Sequence, residues 1–502
     1  MFRFKPILHP HDPKELPYWI PWLGHLVRFT KNSFSLLQEG RRYFGNTGEP
    51  FALTIAGQSL YVVTSAKDIE ELYRNKSTLS WEGFVQDLYR WIGFSDNAVK
   101  KLWQPPTEHA KTSNPVRVLS PNEMVAEYQR RQLRPGKNLE SLAKSMIKHI
   151  DDLLRWQNLD VGQTRVLPCS DQWLTLSLID WTSHTFIRST TEAYWGKKLF
   201  EIDPDLLQTY NIWERTSWKY VFQIPRLFSQ DMYNARDKLV DAFTAYFRLP
   251  QAERAETAWF VPIAEAEMRD IGLGERDLGR AHMLQHWAIN GNMHKVTFWI
   301  MAHLLHRPAL LEAIRKETAP GVVDDTPNIP YLLENCPRLE AIYHEVLRLQ
   351  MSNSLMRHVT APTTLGGKVL QENRNVLMPY RLLHYDEEVW GANASIFDPD
   401  RFLLRKELAR DPNYRPFGGG QHMCPGRFVA KQAIFAFIAL TFSRFDVCLQ
   451  SDEKAGGSRE HSHNCGFNRH FPRAEDLKPG LATLGPREGD EVLVRCSPRI
   501  KV

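Results

Sequence analysis

Residues 416–427 read PFGGGQHMCPGR, and this stretch decides the interpretation of the whole chain. The three glycines at 418–420 predict a loop with a permissive backbone, and Cys424 follows it just before a predicted helix. A thiolate is stabilised there because the N-terminus of a helix favours an anion. Gly426 adds no side chain beside the sulfur, which leaves room for the face of a flat cofactor. The stretch therefore predicts a metal-binding thiolate in a loop that a cofactor can approach.

The spacing of this stretch resembles the heme-binding signature of the cytochrome P-450 family. The resemblance implies that heme is the cofactor and that Cys424 is the axial ligand of its iron. His422 stands where the family usually has an Arg or His that pairs with a heme propionate. A buried cysteine at a glycine-rich turn is the alternative, but further motifs follow in the order that the family has. The signature residues here are Phe417, Gly420, Cys424 and Gly426.

Charged residues that precede the cysteine loop along the chain support the resemblance. On its own, Glu345 with Arg348 is a common i,i+3 surface pair. In the family, an arginine of a downstream motif joins this pair in a buried ionic network, and here that motif is residues 397–402 (FDPDRF) with Arg401. The implied role is structural, because the network would fix the cysteine loop. Arg357 matches a position that commonly binds the second propionate in the family. The alternative interpretation is an arginine on a strand that is exposed to solvent.

The succession of helical and strand patterns predicts a mainly α protein with a small β-rich region, and the resemblance implies that it has the cytochrome P-450 fold. The longest helix is predicted over residues 277–306 and a final amphipathic helix over residues 427–444. The β-rich region is expected from residues near 51–63, 355–380 and the tail. Heme is expected between the long helix and the Cys424 loop.

Composition limits the class of protein and of partner. The chain has 502 residues, a formal charge of +5, 43% apolar and 24% charged residues, which allows a large core. Runs of Lys and Arg long enough for nucleic-acid binding are missing, so no nucleic-acid partner is expected. Six scattered cysteines without a CxxC pair argue against a disulfide-dense secreted scaffold. Without a visible linker or repeat, residues 1–502 are predicted to form a single domain and a monomer, with a proline-rich leading segment over about residues 1–30.

The sequence contains no apolar run long enough for a transmembrane helix. Residues 17–27 (PYWIPWLGHLV) are apolar but short, and Pro21 and Gly24 interrupt them. This segment could lie against a membrane surface without spanning it. The expected location is the cytoplasmic face of the endoplasmic reticulum or the cytoplasm, with peripheral membrane contact as one alternative.

The long predicted helix departs from the family at its most characteristic position. Most members have an acid followed by a threonine there, and this chain has Gly291 and Asn292. The pair, together with Phe298-Trp299, resembles the branch that contains cholesterol 7α-hydroxylase, sterol 12α-hydroxylase and prostacyclin synthase. An amide can still orient a water or hydroperoxide, so Gly291 and Asn292 are the candidate catalytic positions. A polar group satisfied by a helix carbonyl is the alternative for Asn292.

Three classes of function follow from the resemblance. The favoured one is a heme-thiolate monooxygenase that inserts one oxygen atom into a lipophilic substrate such as a sterol, terpenoid or polyketide. Electrons would come from a separate NADPH–cytochrome P-450 reductase, because no GxGxxG motif indicates a nucleotide domain in this chain. An isomerase or dehydratase that acts on a peroxide without a reductase is the second class, and a non-catalytic heme protein is the third. Stretches such as residues 418–420 resemble fungal members, which would indicate secondary metabolism.

Two further groups of residues were weighed as ligand sites. Residues that follow the helix of Glu345 are candidates for lining the substrate pocket, because the family folds a strand over the heme there. A zinc site in the polar loop after residue 456 is an alternative with no standard spacing. The pocket candidates are Ser352, Asn353, Ser354 and Leu355, and the zinc candidates are His461, His463, Cys465 and His470.

Overall fold

A computed structural model describes residues 5–105, 119–159, 167–170, 173–254, 256–450 and 470–499. Helices dominate these ranges and the strands are short, so the prediction of a mainly α fold with a small β-rich region is confirmed. The chain forms two compact units. The described residues of unit 1 lie within Met1–Asp87, Glu340–Cys424 and Ala474–Arg487, and those of unit 2 lie within Leu88–Leu339, Pro425–Arg473 and Glu488–Val502. The single domain over residues 1–502 stays a prediction.

The α-helices of the described ranges differ in length, and the shortest have about one turn. Within these ranges no helix is both long and apolar enough to cross a bilayer. The helices are α1 Lys5–Leu8, α2 Leu26–Tyr43, α3 Ala66–Arg74, α4 Glu82–Ile92, α5 Asp96–Trp103, α6 Pro121–Leu133, α7 Lys137–Leu153, α8 Leu178–Trp195, α9 Lys198–Ile202, α10 Leu206–Val221, α11 Gln230–Arg248, α12 Phe260–Asp270, α13 Glu275–Asn290, α14 Met293–Leu305, α15 Pro308–Thr318, α16 Ile329–Glu334, α17 Pro337–Gln350, α18 Tyr380–His384, α19 Glu387–Trp390, α20 Arg401–Leu404 and α21 Arg427–Arg444.

The strands are between two and six residues long. They are β1 Lys14–Glu15, β2 Phe51–Ile55, β3 Gln58–Val62, β4 Leu79–Ser80, β5 Leu167–Ser170, β6 Trp173–Ser177, β7 Val322–Val323, β8 Thr326–Pro327, β9 Ser354–Val359, β10 Thr363–Leu365, β11 Lys368–Leu370, β12 Asn375–Pro379, β13 Phe445–Leu449 and β14 Leu493–Pro498.

Unit 1 contains a mixed sheet with the strand order β1-β2-β3-β12-β9-β4. Its β2–β3 hairpin turns at Ala56 and Gly57, both with positive φ (49° and 79°), which is the backbone that a tight two-residue hairpin requires. Ser65 then caps α3, because its side chain accepts a hydrogen bond from the Asp68 N–H group. The β-structure predicted near residues 51–63 is therefore confirmed.

Unit 2 contains a long helix that is buried along almost its whole length. Every residue of α14 except Lys295 is buried, which is the pattern of a helix enclosed on all sides. The final helix α21 has the predicted bounds, residues 427–444. A second sheet has the order β13-β14-β6-β5. The tail strand β14 pairs there with β13 and β6, so the tail contributes a strand as expected, in a sheet separate from that of residues 51–63. Pairing with these two strands satisfies the backbone hydrogen-bonding groups of β14 on both of its edges.

The long helix predicted over residues 277–306 is wrong as a continuous element. Two helices occupy the range, with α13 ending at Asn290 and α14 beginning at Met293. Asn292 between them has φ −124° and ψ −47°, outside helical geometry. Glycine followed by asparagine is a weak helix-forming pair, because glycine loses the most backbone freedom and asparagine competes for backbone hydrogen bonds. The break therefore coincides with Gly291 and Asn292.

Two histidines one turn apart on α13 are almost completely buried in unit 2. His282 Nδ1 accepts a hydrogen bond from the Trp195 indole N–H at 3.2 Å. His286 Nε2 lies 2.8 Å from the Thr191 hydroxyl, which donates its own proton to the Ile187 carbonyl, so the imidazole donates to Thr191. Burial lowers the pKa of both histidines to about 3, and both rings are neutral at neutral pH.

We expect acid to destabilise unit 2 through these histidines. Below about pH 6.5 the unfolded chain binds protons that the buried rings do not bind, so the unfolded state is favoured. The free energy of unfolding should fall as the pH decreases from about 6.5 toward 3, by up to about 1.4 kcal/mol per pH unit for each histidine. Urea midpoints at pH 7 and pH 5 measure this slope. His286→Asn should reduce the slope and the same change at exposed His9 should not, whereas equal slopes in all three proteins would contradict the assignment.

Candidate active site

The loop that carries Cys424 has a backbone fixed by its own hydrogen bonds. The Cys424 N–H group donates to the Phe417 carbonyl at 3.0 Å, and the Gly418 N–H group donates to the Arg415 carbonyl at 3.1 Å. Cys424 is exposed, and α21 begins three residues later at Arg427. The loop thus presents a sulfur atom to its surroundings just before a helix N-terminus.

The aromatic ring of Tyr73 on α3 explains why the loop contains glycine. Gly420 has φ +61°, and a Cβ atom there would stand 3.1 Å from the Tyr73 ring. A Cβ atom on Gly419 would stand 2.6 Å from the same ring and 2.8 Å from the Arg415 guanidinium. That guanidinium lies over the Tyr73 ring at 5.5 Å and binds the Glu70 carboxylate at 2.5 Å. Helix α3 therefore packs directly against the cysteine loop.

A buried carboxylate in α17 organises a network of positive charge. Glu345 and Arg348 have fully buried side chains, and Arg401 is 8% exposed. Glu345 Oε1 accepts from Arg348 Nη2 at 2.7 Å, from the Asp398 N–H group at 3.1 Å and from Arg401 Nε at 3.3 Å. Glu345 Oε2 accepts from Arg348 Nε at 2.8 Å. A buried charge needs this number of partners, since a single missing donor leaves it desolvated without compensation.

His384 connects this network to the start of the cysteine loop. Arg348 Nη1 donates to the His384 carbonyl at 2.7 Å and to the Ala394 carbonyl at 2.6 Å. The Arg415 N–H group donates to His384 Nε2 at 2.9 Å, which requires that nitrogen to be unprotonated. Burial lowers the pKa of His384 to about 3, so the ring remains neutral and can accept. A continuous set of hydrogen bonds thus runs from Arg348 through His384 to Arg415, whose carbonyl accepts from the Gly418 N–H group.

Tyr343 on α17 lies close enough to the sulfur to respond to its charge. Burial raises the pKa of Tyr343 above its ordinary value, and negative charge on Cys424 and on Glu340 raises it further. The phenol therefore stays neutral. Helix α17 brings together the buried carboxylate of the network and an aromatic residue beside the cysteine.

An arginine without a carboxylate partner lies in the sheet of unit 1. Arg357 on β9 is 5% exposed, and burial lowers its pKa. Within the described ranges its Nη1 atom has no hydrogen-bond partner, and no carboxylate forms an ion pair with it. Its guanidinium lies 5.4 Å from the centre of the Trp81 ring, and that ring lies 5.4 Å from the ring of His422 at an angle of 35°. A buried cation with an open donor is a site that an anion would stabilise.

A family model described as Cytochrome P-450 matches residues 199–467, which is more than half of the chain. The chain belongs to the cytochrome P-450 family. The matched range includes α17, the ion network and the cysteine loop. As a P-450, the chain binds heme. The mainly helical architecture with small sheets is the fold of this family.

Curated relatives over almost the whole P-450 chain are enzymes. Cytochrome P-450 monooxygenase poxD of Penicillium oxalicum is 25% identical over 459 residues, 88% of each chain. The 7-alpha-hydroxycholest-4-en-3-one 12-alpha-hydroxylase of Homo sapiens is 23% identical and covers 87% of each chain. Prostacyclin synthase of Rattus norvegicus is 22% identical and covers 86% of this chain and 87% of its own. With the family and the fungal monooxygenases, these relatives make this P-450 an oxidoreductase of the monooxygenase class.

The described residues of unit 1 fit a heme group. A heme carries an iron that takes an axial thiolate and two carboxylates that need cations. The exposed Cys424 sulfur supplies the first requirement. The buried Arg357, whose Nη1 lacks a partner among the described residues, supplies a cation for the second. His422 contacts the same Trp81 ring as Arg357 does.

The predicted pocket residues after α17 occupy different surroundings. Asn353 donates from its side-chain amide to the Pro416 carbonyl at 3.3 Å, so it touches the start of the cysteine loop. Ser352 binds the tail through its N–H group, which donates to the Ala482 carbonyl at 2.9 Å. Ser354 is exposed, and Leu355 is partly buried against the apolar core of unit 1. Their role as substrate contacts stays a prediction.

Gly291 and Asn292 belong to unit 2, where they separate α13 from α14. Gly291 is buried and Asn292 is half-buried. Next to the break, His294 Nδ1 donates to the Asn290 carbonyl at 3.1 Å, and Lys295 forms an ion pair with Glu214 of α10. Polar groups therefore adjoin the break between α13 and the largely apolar α14. The predicted catalytic role of the two residues stays a prediction.

Sequence reasoning missed several residues that support the site. His384 and Tyr73 contact the cysteine loop or the network only through the fold, and their sequence neighbourhoods carry no motif. Tyr343 lies two residues before Glu345, so its position on the same helix could have indicated it. Trp81 follows a two-residue strand, and only the pairing of that strand reveals its neighbours. The zinc candidates His461, His463 and Cys465 lie outside the described residues. Among the residues that the structure describes, which include His470, no group of three or more His, Cys, Asp or Glu side chains is arranged for a metal ion.

Proposed function

We propose that this P-450 hydroxylates a lipophilic small molecule, of the sterol, terpenoid or polyketide class, with electrons from a separate NADPH–cytochrome P-450 reductase. The observation that carries the proposal is the exposed Cys424, whose backbone N–H group donates to the Phe417 carbonyl in a loop that the Glu345 network reaches through His384. The substrate class is supported by the human sterol 12-alpha-hydroxylase and by the fungal monooxygenases among the relatives.

In this proposal each part of unit 1 has one task toward heme. Cys424 is the axial ligand of the iron, and the Phe417 carbonyl fixes its backbone. Arg357 and His422 bind the propionates, and Gly420 and Gly426 leave the loop free of side chains near the cofactor. Glu345, Arg348 and Arg401 hold the loop through His384. Bound through a thiolate, heme supplies the oxygen chemistry, because the thiolate increases electron density at the iron and favours O–O cleavage.

Asn292 stands at the position of the usual threonine, after Gly291 at the position of the acid, and has the polar role in the proposed reaction. Its amide offers both donors and an acceptor, which can orient a water or a hydroperoxide without changing protonation state. Gly291 before it relaxes the helix and leaves the backbone near the amide without a neighbouring side chain. The non-helical backbone of Asn292 supports this role, because interrupted helices are frequent at functional sites.

The proposed location is the cytoplasmic face of a membrane, with the protein as a monomer in peripheral contact with lipid. The supporting residues lie in the apolar leading segment, where Trp19 is 98%, Ile20 57% and Trp22 68% exposed. Tryptophan favours the membrane–water interface because its ring is apolar and its N–H group is polar. Flotation with phospholipid vesicles tests this placement, and a Trp19→Ser/Trp22→Ser variant that floats equally well would contradict it.

Turnover with and without a reductase tests the proposed reaction. A spin-shift titration with sterols and terpenoids first identifies a compound that binds near the iron. With NADPH, a P-450 reductase and isotope-labelled O2, we expect a product that carries one labelled oxygen atom. Prostacyclin synthase is among the relatives, so the same compound class is also offered as a hydroperoxide without NADPH. Rearrangement of that hydroperoxide, with no reductase-dependent product, would contradict hydroxylation and favour the isomerase class.

A further inference from the structure

Strand pairing in unit 1 brings Trp81 beside Arg357. Strand β4 pairs with β9 so that Leu79 faces Val359 and Ser80 faces His358. One further step in the same antiparallel register sets Trp81 opposite Arg357. The Ser80 hydroxyl then accepts a hydrogen bond from the Glu82 N–H group at 3.1 Å, which holds the backbone on the other side of Trp81. The backbone that carries the indole ring is therefore held on both sides of Trp81.

The indole ring lies between two groups that carry or can carry positive charge. The Arg357 guanidinium is 5.4 Å from its centre, and the His422 ring is 5.4 Å away on a plane tilted by 35°. An aromatic face attracts a cation through its quadrupole, and tryptophan does so more strongly than tyrosine or phenylalanine. For Arg357 this contact matters more than usual, because the side chain is buried and has no ion-pair partner within the described ranges.

We propose that Trp81 is a positioning residue for heme, which holds the Arg357 guanidinium and the His422 imidazole where they bind the two carboxylates. The inference rests on the proposed function, since it takes Arg357 and His422 as the propionate-binding side chains. Trp81 acts through these two residues and needs no contact with heme itself. Stacking removes rotational freedom from a long side chain before the cofactor arrives, so less ordering remains to be done on binding.

Variants of Trp81 separate its aromatic face from its bulk. Trp81→Leu retains an apolar side chain but loses the π face, whereas Trp81→Tyr and Trp81→Phe retain weaker faces. The readout is the rate at which the purified holoprotein loses heme to excess apomyoglobin, measured where circular dichroism shows each variant folded. We expect Trp81→Leu to lose heme roughly 3- to 30-fold faster than the wild type, with Tyr and Phe in between. Trp19→Leu, at an exposed position, is the matched control and should lose heme at the wild-type rate.

A mutant cycle with Arg357 and His422 tests whether Trp81 acts through them. Arg357→Gln should itself release heme faster, and adding Trp81→Leu to the Arg357→Gln/His422→Gln double variant should change the rate by less than about 2-fold. Rates that multiply would show two independent effects and overturn the positioning role. A wild-type rate in Trp81→Leu, with faster release from Arg357→Gln, would overturn this inference alone. Wild-type rates in Arg357→Gln and in His422→Gln would overturn the propionate assignment on which it rests.

If Trp81→Leu does not fold, the aromatic series still decides the question. Cation–π strength decreases from tryptophan to tyrosine to phenylalanine, so heme release should become faster in that order. Equal rates for the three aromatic side chains would contradict the proposal, because packing alone would then account for the position.

Discussion

Glu345→Gln should lower the free energy of unfolding of this P-450 by about 3–5 kcal/mol, because it breaks a buried charge network from its centre. Glu345 is fully buried and accepts hydrogen bonds from Arg348, Arg401 and the Asp398 N–H group. A glutamine amide turns one acceptor into a donor that faces guanidinium groups. It leaves the buried Arg348 without a counter-charge and leaves Arg401 with Asp398 alone, at 3.9 Å. Urea unfolding followed by circular dichroism measures the change.

The surface pair Lys198–Glu201 is a matched control for this prediction. It has the same i,i+3 spacing on a helix, but its side chains are 33% and 60% exposed. Glu201→Gln should cost less than about 1 kcal/mol, since exposed ion pairs contribute little. If the two glutamine variants lose similar free energies of unfolding, the buried network does not stabilise the fold as its burial predicts.

Cys424→Ser should reduce reductase-dependent turnover at least about 100-fold, equivalent to roughly 2.7 kcal/mol in activation free energy. A serine hydroxyl supplies far less electron density to iron than a thiolate does, so O–O cleavage is no longer favoured. Product formation with NADPH and a reductase measures the loss, using a substrate identified by its spin shift.

Cys448→Ser provides the corresponding control at a cysteine on β13 in unit 2. It makes the same exchange of sulfur for oxygen and should leave turnover within about 2-fold of wild type, because Cys448 belongs to neither the cysteine loop nor the Glu345 network. Undiminished turnover in Cys424→Ser would exclude this sulfur as the iron ligand.

The elements that the sequence predicted correctly are those with local signals at their ends. The hairpin over residues 51–63 turns at a glycine, α17 begins at Pro337, and α21 begins after Gly426. Proline and glycine constrain the backbone through their own chemistry, so neighbours in space are not needed to read them. The motif residues around Cys424 and Glu345 were recognisable for the same reason, since their spacing along the chain is itself the signal.

The features that the sequence did not predict depend on residues far apart in the chain. Periodicity over residues 277–306 favours one helix, and it does not reveal how the Gly291-Asn292 pair breaks the ladder of hydrogen bonds. The Trp81 contact arises from the pairing of β4 with β9. His384 joins the network to the cysteine loop only after α18 and α17 have packed. Polar and aromatic contacts of this kind are set by tertiary structure and have no local pattern.

The ferrous carbon monoxide spectrum of the purified protein tests most directly whether Cys424 binds the heme iron as a thiolate. After reduction with dithionite and addition of carbon monoxide, we expect the strongly red-shifted Soret band that a thiolate opposite carbon monoxide produces. Cys448→Ser should give the same band and Cys424→Ser should not. An unshifted band in the freshly prepared wild type, or a red-shifted band that survives in Cys424→Ser, would contradict the assignment of Cys424 as the ligand.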